Sequence, residues 1–202
     1  MANMNMRFHA RFFGSILLLI TCWPTVALTV AQTEFEDYLN ANAQRPALVL
    51  NGASVREIYM LIDSYAGALY LESQSSDAQS ILSDTQHYKR MVFHCLMNKI
   101  SARRMAGAFQ KALSVNISKE THEKIAKDIE LMMSFFTGKF HKGEEAWFDY
   151  IPGRGTRITL NGQVKGTIPG DLFFQSMLSL WIGQNPINRE FKNNMLGLTN
   201  AP

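Results

Sequence analysis

The stretch Thr156-Arg157-Ile158-Thr159-Leu160-Asn161-Gly162-Gln163-Val164-Lys165-Gly166-Thr167-Ile168 decides the fold. Asn161-Gly162 signals a two-residue β-turn, because both central positions of the favoured hairpin turn need positive φ. Ile158 and Leu160 alternate with Arg157 and Thr159 before the turn, and Val164 and Ile168 continue the pattern after it. Strands joined this tightly are antiparallel. Upstream, Glu145 to Ile151 reads as another strand and ends in Pro152-Gly153-Arg154-Gly155. Gly153 and Gly155 stand between two strands rather than ahead of a helix, so they are turn residues and not a phosphate cradle. Downstream, Pro169-Gly170 breaks the chain and Asp171 is expected to cap a helix. Leu172 to Ile182 is apolar nearly all round, which predicts a buried helix. Gly183 ends it, and Asn188 caps a short last helix ending at Gly197.

Helical period also fills the middle of the chain. Ser101 is a predicted N-cap, and Met105, Ala108, Phe109, Ala112 and Leu113 share one apolar face. A second helix is predicted from Ser118 to Gly138, with Ile125, Ile129, Met132, Met133 and Phe136 turned to the core. Earlier, Ala47 to Asn51 reads as a short strand ended by Asn51-Gly52. Val55 to Glu72 reads as one long strand or two, with a bend near Ala66-Gly67-Ala68. Ser73 to Asp84 is polar, with a short helix around Ala78 to Leu82, and Tyr88 to Met97 alternates as a strand. Strands thus follow strands, and the repeated strand-helix-strand unit of a parallel sheet is absent. The fold class is α+β, an antiparallel sheet with helices packed on one face.

The N-terminus reads as an address. Arg7, His9 and Arg11 come before the apolar run Ile16 to Ile20, and small residues follow up to Ala31. This is the pattern of a secretory signal peptide over residues 1–31, cleaved after Ala31 with Thr29 two positions before it. The competing readings are a membrane anchor and lipid attachment at Cys22. Pro24 interrupts the apolar run, which is short for a span of about 20 residues, and Thr21 is bulky for the position before a lipidated cysteine. Residues 32–46 read as an exposed, acidic lead-in and 47–202 as one domain. The expected location is the periplasm or the exterior, with no stable membrane span after cleavage.

Apolar residues make up 47% of the 202 and charged residues 18%, which excludes a disordered charged chain. A domain of this size buries about 70% of its unfolded surface, so the core needs no metal or disulfide. The whole chain carries +3, and without Arg7 and Arg11 there are 18 basic against 17 acidic side chains. That balance gives no reason to expect nucleic-acid binding. Cys95, the one cysteine beyond residue 31, shares a strand face with Met91, Phe93 and Met97 and reads as a buried hydrophobe.

The motif search removes most enzyme classes. His87, His94, His122 and His141 lack zinc-site spacing, and there is no nucleophile elbow or Walker loop. No metal and no cofactor is expected. Arg103 and Arg104 adjoin at a helix start, where the dipole disfavours them, and read as a solvated pair. Glu144 and Glu145 precede a strand as adjacent, oppositely directed side chains, a poor acid/base pair.

One ordered set of motifs resembles a known family. Asn51-Gly52-Ala53-Ser54-Val55-Arg56 and Ala68-Leu69-Tyr70-Leu71-Glu72 come first, then the helix from Ser101 to Asn116. Phe148-Asp149-Tyr150-Ile151-Pro152-Gly153-Arg154-Gly155-Thr156, Leu160-Asn161-Gly162, Gly166-Thr167-Ile168-Pro169-Gly170 and Leu180-Trp181-Ile182-Gly183 follow. Together, over about Leu50 to Gly197, they are similar to the chalcone isomerase superfamily, and most to its bacterial exported branch. The resemblance implies an open-faced β-sandwich, a large antiparallel sheet covered by helices. It also implies that Arg56 matches the family arginine, which binds a phenolate oxygen in the plant enzymes. A guanidinium suits that task, with a fixed charge and forked donors. Without the resemblance, Arg56 reads as half of an ion pair with Asp63 or Asp149.

The remaining family positions depart from the enzymes. Tyr65 stands where the resemblance places a threonine. The family tyrosine, lysine and asparagine fall at about Met105, Ala108 and Ala112, and a serine or threonine falls near Phe174. Most groups that would stabilise an enolate are therefore apolar, and losing one such donor costs a factor of about 100 to 1,000. What the resemblance leaves is an apolar pocket walled by Met105, Ala108, Ala112 and Phe174, with Arg56 and Tyr65 as its polar pair. Some non-catalytic superfamily members bind fatty acids through the arginine. The first expectation is a monomeric exported protein binding a small amphipathic carboxylate or phenolate. The alternatives are an isomerase or lyase acting on an enone with Arg56 and Tyr65 as catalytic residues, and a partner-binding domain whose apolar helix faces simply pack as core.

Overall fold

The computed structural model describes residues 27–58 and 62–199, with the side chains of residues 57, 58, 62 and 63 outside that description. Most of the segment read as a signal peptide, residues 1–26, lies outside the described residues. Its last part does not. Strand β1 (Ala27–Val30) pairs antiparallel with β2 (Thr33–Glu36), through a turn in which Ala31 and Gln32 both have positive φ. The stretch read as an exposed lead-in is also structured. Thr33 and Phe35 are buried while Glu34 and Glu36 face solvent, the two-residue alternation of a half-covered strand. A two-residue strand β3 (Tyr38–Leu39) follows.

The main sheet is built next. Strand β4 (Leu48–Ile58) and β5 (Ile62–Leu71) form a long antiparallel pair. Helix α1 (Ala78–Ser83), capped by Asp77, leads to β6 (Lys89–Cys95) and the short β7 (Lys99–Ser101). Helix α2 (Ala102–Asn116) starts on the Ser101 side chain, as the sequence predicts. The second predicted helix is broken at Ile125 into α3 (Lys119–Lys124) and α4 (Ala126–Phe135). Strands β8 (Lys139–His141), β9 (Glu145–Ile151), β10 (Gly155–Leu160) and β11 (Gln163–Pro169) precede α5 (Leu172–Ile182) and α6 (Arg189–Met195). Seven strands join in the order β11-β10-β9-β6-β5-β4-β3, and every pairing is antiparallel. This is the α+β architecture the hairpin implied, and Asn161 and Gly162 both adopt positive φ at its turn.

Asn51-Gly52 does not end a strand. The register shifts between Leu50 and Gly52, so the pair is a bulge inside β4. The Asn51 amide donates to the carbonyls of Ser75 at 3.0 Å and Met195 at 2.7 Å, and its oxygen accepts from the Ser75 amide at 2.8 Å. Nor does β5 bend at Gly67, which keeps continuous pairing on both sides and lies beneath Phe191 and Trp181. Asp171 is a further correction. Its side chain makes no cap hydrogen bond and instead accepts from the Tyr150 hydroxyl at 2.7 Å.

The sheet separates two apolar clusters. One face carries Tyr65, Leu69, Met91, Phe93, Phe148 and Ile158 against helices α2, α4, α5 and α6. The opposite face carries Leu48, Ala53, Ala66, Ala68, Tyr70 and Val92, covered in part by Leu28, Val30 and Phe35 of the first hairpin. On that second face Arg90, Asp149 and Arg157 lie directly opposite one another on three neighbouring strands. Asp149 is fully buried and accepts from Arg90 at 2.5 and 2.9 Å and from Arg157 at 3.0 Å. Cys95 is buried on the helix face, and burial pushes its thiol up, so it stays protonated and inert.

Candidate functional site

On the helix face, a cavity of about 300 Å³ opens between the sheet and helices α2 and α5. Its floor is Arg56, Ser64, Tyr65 and Phe93. Arg56 and Tyr65 are directly opposed on β4 and β5, so their side chains project from the same face. Its wall is one stripe of α2, namely Arg104, Met105, Ala108, Phe109 and Ala112, which recurs at three- and four-residue spacing. Leu180 and Trp181 of α5 close the far side, with Ile100 and Ile187 at the margin. Ala108 is exposed and Ala112 half-buried, so that edge of the stripe borders the opening, while Met105 and Phe109 are buried in the helix-face core.

The sequence places six residues at a site, and the structure brings five of them together. Arg56, Tyr65, Met105, Ala108 and Ala112 share the cavity. Phe174 does not join them. It is buried against the Tyr150 ring, with ring centres 5.3 Å apart. Phe174 and Trp181 sit seven residues apart on α5, which is two turns or about 10 Å along the axis. Trp181, not Phe174, is the aromatic residue of α5 that lines the cavity. Trp181 and Arg104 are the lining residues that sequence reasoning missed. Only Arg104 carried a signal, the four-residue spacing it shares with Ala108 and Ala112; nothing in a helix apolar nearly all round singles out Trp181.

The polar groups converge at one end. The Tyr65 hydroxyl accepts from the Trp181 indole N–H at 3.1 Å, which leaves its own proton to be donated. Burial pushes the Tyr65 phenol well above its ordinary range, against the smaller opposing effects of that bond and of the Arg56 charge. Tyr65 is accordingly a neutral donor at physiological pH. Arg56 is half-buried, and its backbone carbonyl accepts from the Ser64 hydroxyl at 2.6 Å. The expected ion-pair partner Asp149 is taken by Arg90 and Arg157, and the Asp63 side chain lies outside the described residues. A fixed cation, a neutral hydroxyl donor and apolar walls make a site that can hold an oxyanion on a greasy tail. The walls at Met105, Ala108 and Ala112 offer nothing to polarise a carbonyl.

Another cavity of about 310 Å³ lies beside α1, but its polar groups are occupied with one another. There the Lys89 ammonium and His87 both meet Asp84, and Glu72 accepts from the Tyr88 amide. Among the described residues no cluster of His, Cys, Asp and Glu could hold a metal ion, and no helix is long and apolar enough to cross a membrane.

Comparison with known proteins agrees with this architecture. A search of curated protein sequences finds no match. Among solved structures, a fatty-acid binding protein of Arabidopsis thaliana superposes with a TM-score of 0.65 at 17% identity, over 85% of this chain and 96% of that one. At that identity the likeness speaks for the fold. Residues 27–197 match the sequence model of the family described as chalcone isomerase-like, and with so much of its length matched, the chain belongs to the chalcone isomerase-like family.

Proposed function

We propose that this chain is an exported binding protein for a small amphipathic carboxylate or phenolate of fatty-acid kind. The observation that carries the reading is the pairing of Arg56 with Tyr65 in a cavity whose other walls are mostly apolar. The name of the Arabidopsis neighbour, a fatty-acid binding protein, supports it. The anionic head meets the Arg56 guanidinium and the Tyr65 hydroxyl, and the tail lies along Met105, Phe109 and Leu180. Export rests on the basic and apolar pattern of residues 1–31, and places the protein in the periplasm or outside the cell. The protein acts as a monomer and carries no cofactor.

The test is titration with decanoate, followed by intrinsic tryptophan fluorescence and by native mass spectrometry. Arg56→Met keeps bulk and deletes charge. It should weaken binding at least about tenfold, the worth of one charge-assisted hydrogen bond. Wild-type protein that binds no amphiphile overturns the proposal. Cyclisation of a chalcone that exceeds the buffer rate and vanishes in Arg56→Met would assign the site to catalysis instead.

A further inference from the structure

We infer that Arg104 is a second anion-binding residue of this cavity, and that the preferred occupant carries a doubly charged head: an alkyl phosphate monoester rather than a monocarboxylate. The inference rests on the binding reading above and names the ligand class of the same site. Two guanidinium groups, Arg56 from the sheet and Arg104 from α2, border one space of about 300 Å³, and among the described residues no carboxylate lines it. Arg104 has no acidic partner within ion-pair distance among the described residues. Its neighbour Arg103 borders a separate depression together with Glu130, so the two arginines diverge and only Arg104 serves the cavity.

The local sequence makes this placement costly unless an anion is present. Arg103 and Arg104 occupy the second and third positions of α2, and the first turn holds no acidic residue. Cations there oppose the helix dipole. Arg104 also lies one and two turns ahead of Ala108 and Ala112, whose small side chains leave its stem room along the opening. A monocarboxylate offers one charge and two oxygens, and Arg56 with Tyr65 already satisfies it. A phosphate monoester carries about −1.5 to −2 charges and three acceptor oxygens at neutral pH. That matches two forked cations and one hydroxyl donor.

The experiment compares decyl phosphate with decanoate, two amphiphiles of equal tail, by calorimetry at pH 8.0 and pH 5.0. Wild-type protein at pH 8.0 should bind decyl phosphate about tenfold more tightly or better. The preference should shrink at pH 5.0, below the second phosphate pKa of about 6. Arg104→Gln should abolish the preference, lowering decyl phosphate affinity about tenfold or more, and Arg104→Lys should restore part of it. Arg104 is exposed, so melting temperature confirms that each variant is folded. Equal affinity in the wild type, or a preference that survives in Arg104→Gln, overturns the inference. Binding of decanoate without any phosphate preference removes this inference and leaves the fatty-acid reading standing; binding of neither removes both.

Discussion

The backbone carbonyl of Asn194 on α6 lies so close to Gly52 on β4 that a Cβ at Gly52 would sit 2.0 Å from it. The C-terminal helix is thus seated directly on the bulge of the long strand, with the Asn51 amide bonded to the Met195 carbonyl at the same point. Gly52→Ala must push α6 away. We expect a loss of about 1–3 kcal/mol, the usual cost of overpacking, read from urea unfolding. Unchanged stability would mean that α6 does not rest on the sheet here.

Ala108 stands on the exposed rim of the cavity. Ala108→Phe should lay a ring across the opening and weaken decanoate binding at least about tenfold. Stability should move by no more than about 0.5 kcal/mol, as for other exposed positions. Calorimetric titration and thermal melting on one sample check both parts. Undiminished affinity would place the ligand elsewhere.

Glu145 accepts from the Trp147 indole at 2.8 Å and lies 3.0 Å from His94 Nδ1. Burial acts to raise its carboxyl, but the His94 and Trp147 hydrogen bonds and the Arg90 charge outweigh it and hold the group below its ordinary 4.5. A carboxyl depressed on folding stabilises the protein above its unfolded value and ceases to do so as pH falls through the folded one. Glu145→Gln should therefore melt below wild type at pH 7, and the gap should narrow as the pH drops beneath 4.5. A gap that widens in acid contradicts this.

Strand β1 contributes Leu28 and Val30, both half-buried, to the second apolar cluster. Cleavage after Ala31 would cut the turn and remove them. Protein beginning at Ala27 should be more stable than protein beginning at Gln32 by about 1–3 kcal/mol, from partial burial of two aliphatic side chains. Urea unfolding of the two forms decides this, and N-terminal sequencing of the protein recovered from cells shows whether either form is made. Equal stability would mean that β1 adds nothing to the folded domain.

The parts of this fold legible in sequence are those set by neighbours along the chain. Asn161-Gly162 could be read because its turn and the alternation around it are local. The same dipeptide at Asn51-Gly52 misled, because its conformation answers to α6, more than 140 residues away. Residues 32–46 looked exposed because their acids dominate, yet Phe35 is buried by β4 and its neighbours. In the site, Arg56, Tyr65 and the α2 stripe follow from strand and helix period once a resemblance singles them out. Trp181 does not, because a helix apolar all round gives no sign of which turn reaches Tyr65. Arg104 shares the spacing of the stripe, yet it reads as solvated because nothing in the chain's order shows a cavity beside it.

Strand β5 acts as a partition. Tyr65, Leu69 and Leu71 serve the cavity side, while Ala66, Ala68 and Tyr70 serve the hairpin side. Exchanging one odd-numbered residue for another can retune what the cavity accepts and leave the second cluster intact. Losing or gaining a single residue within β5 would turn every side chain beyond that point to the wrong compartment. Substitution can therefore change one compartment at a time, but the length of this strand is closed to variation.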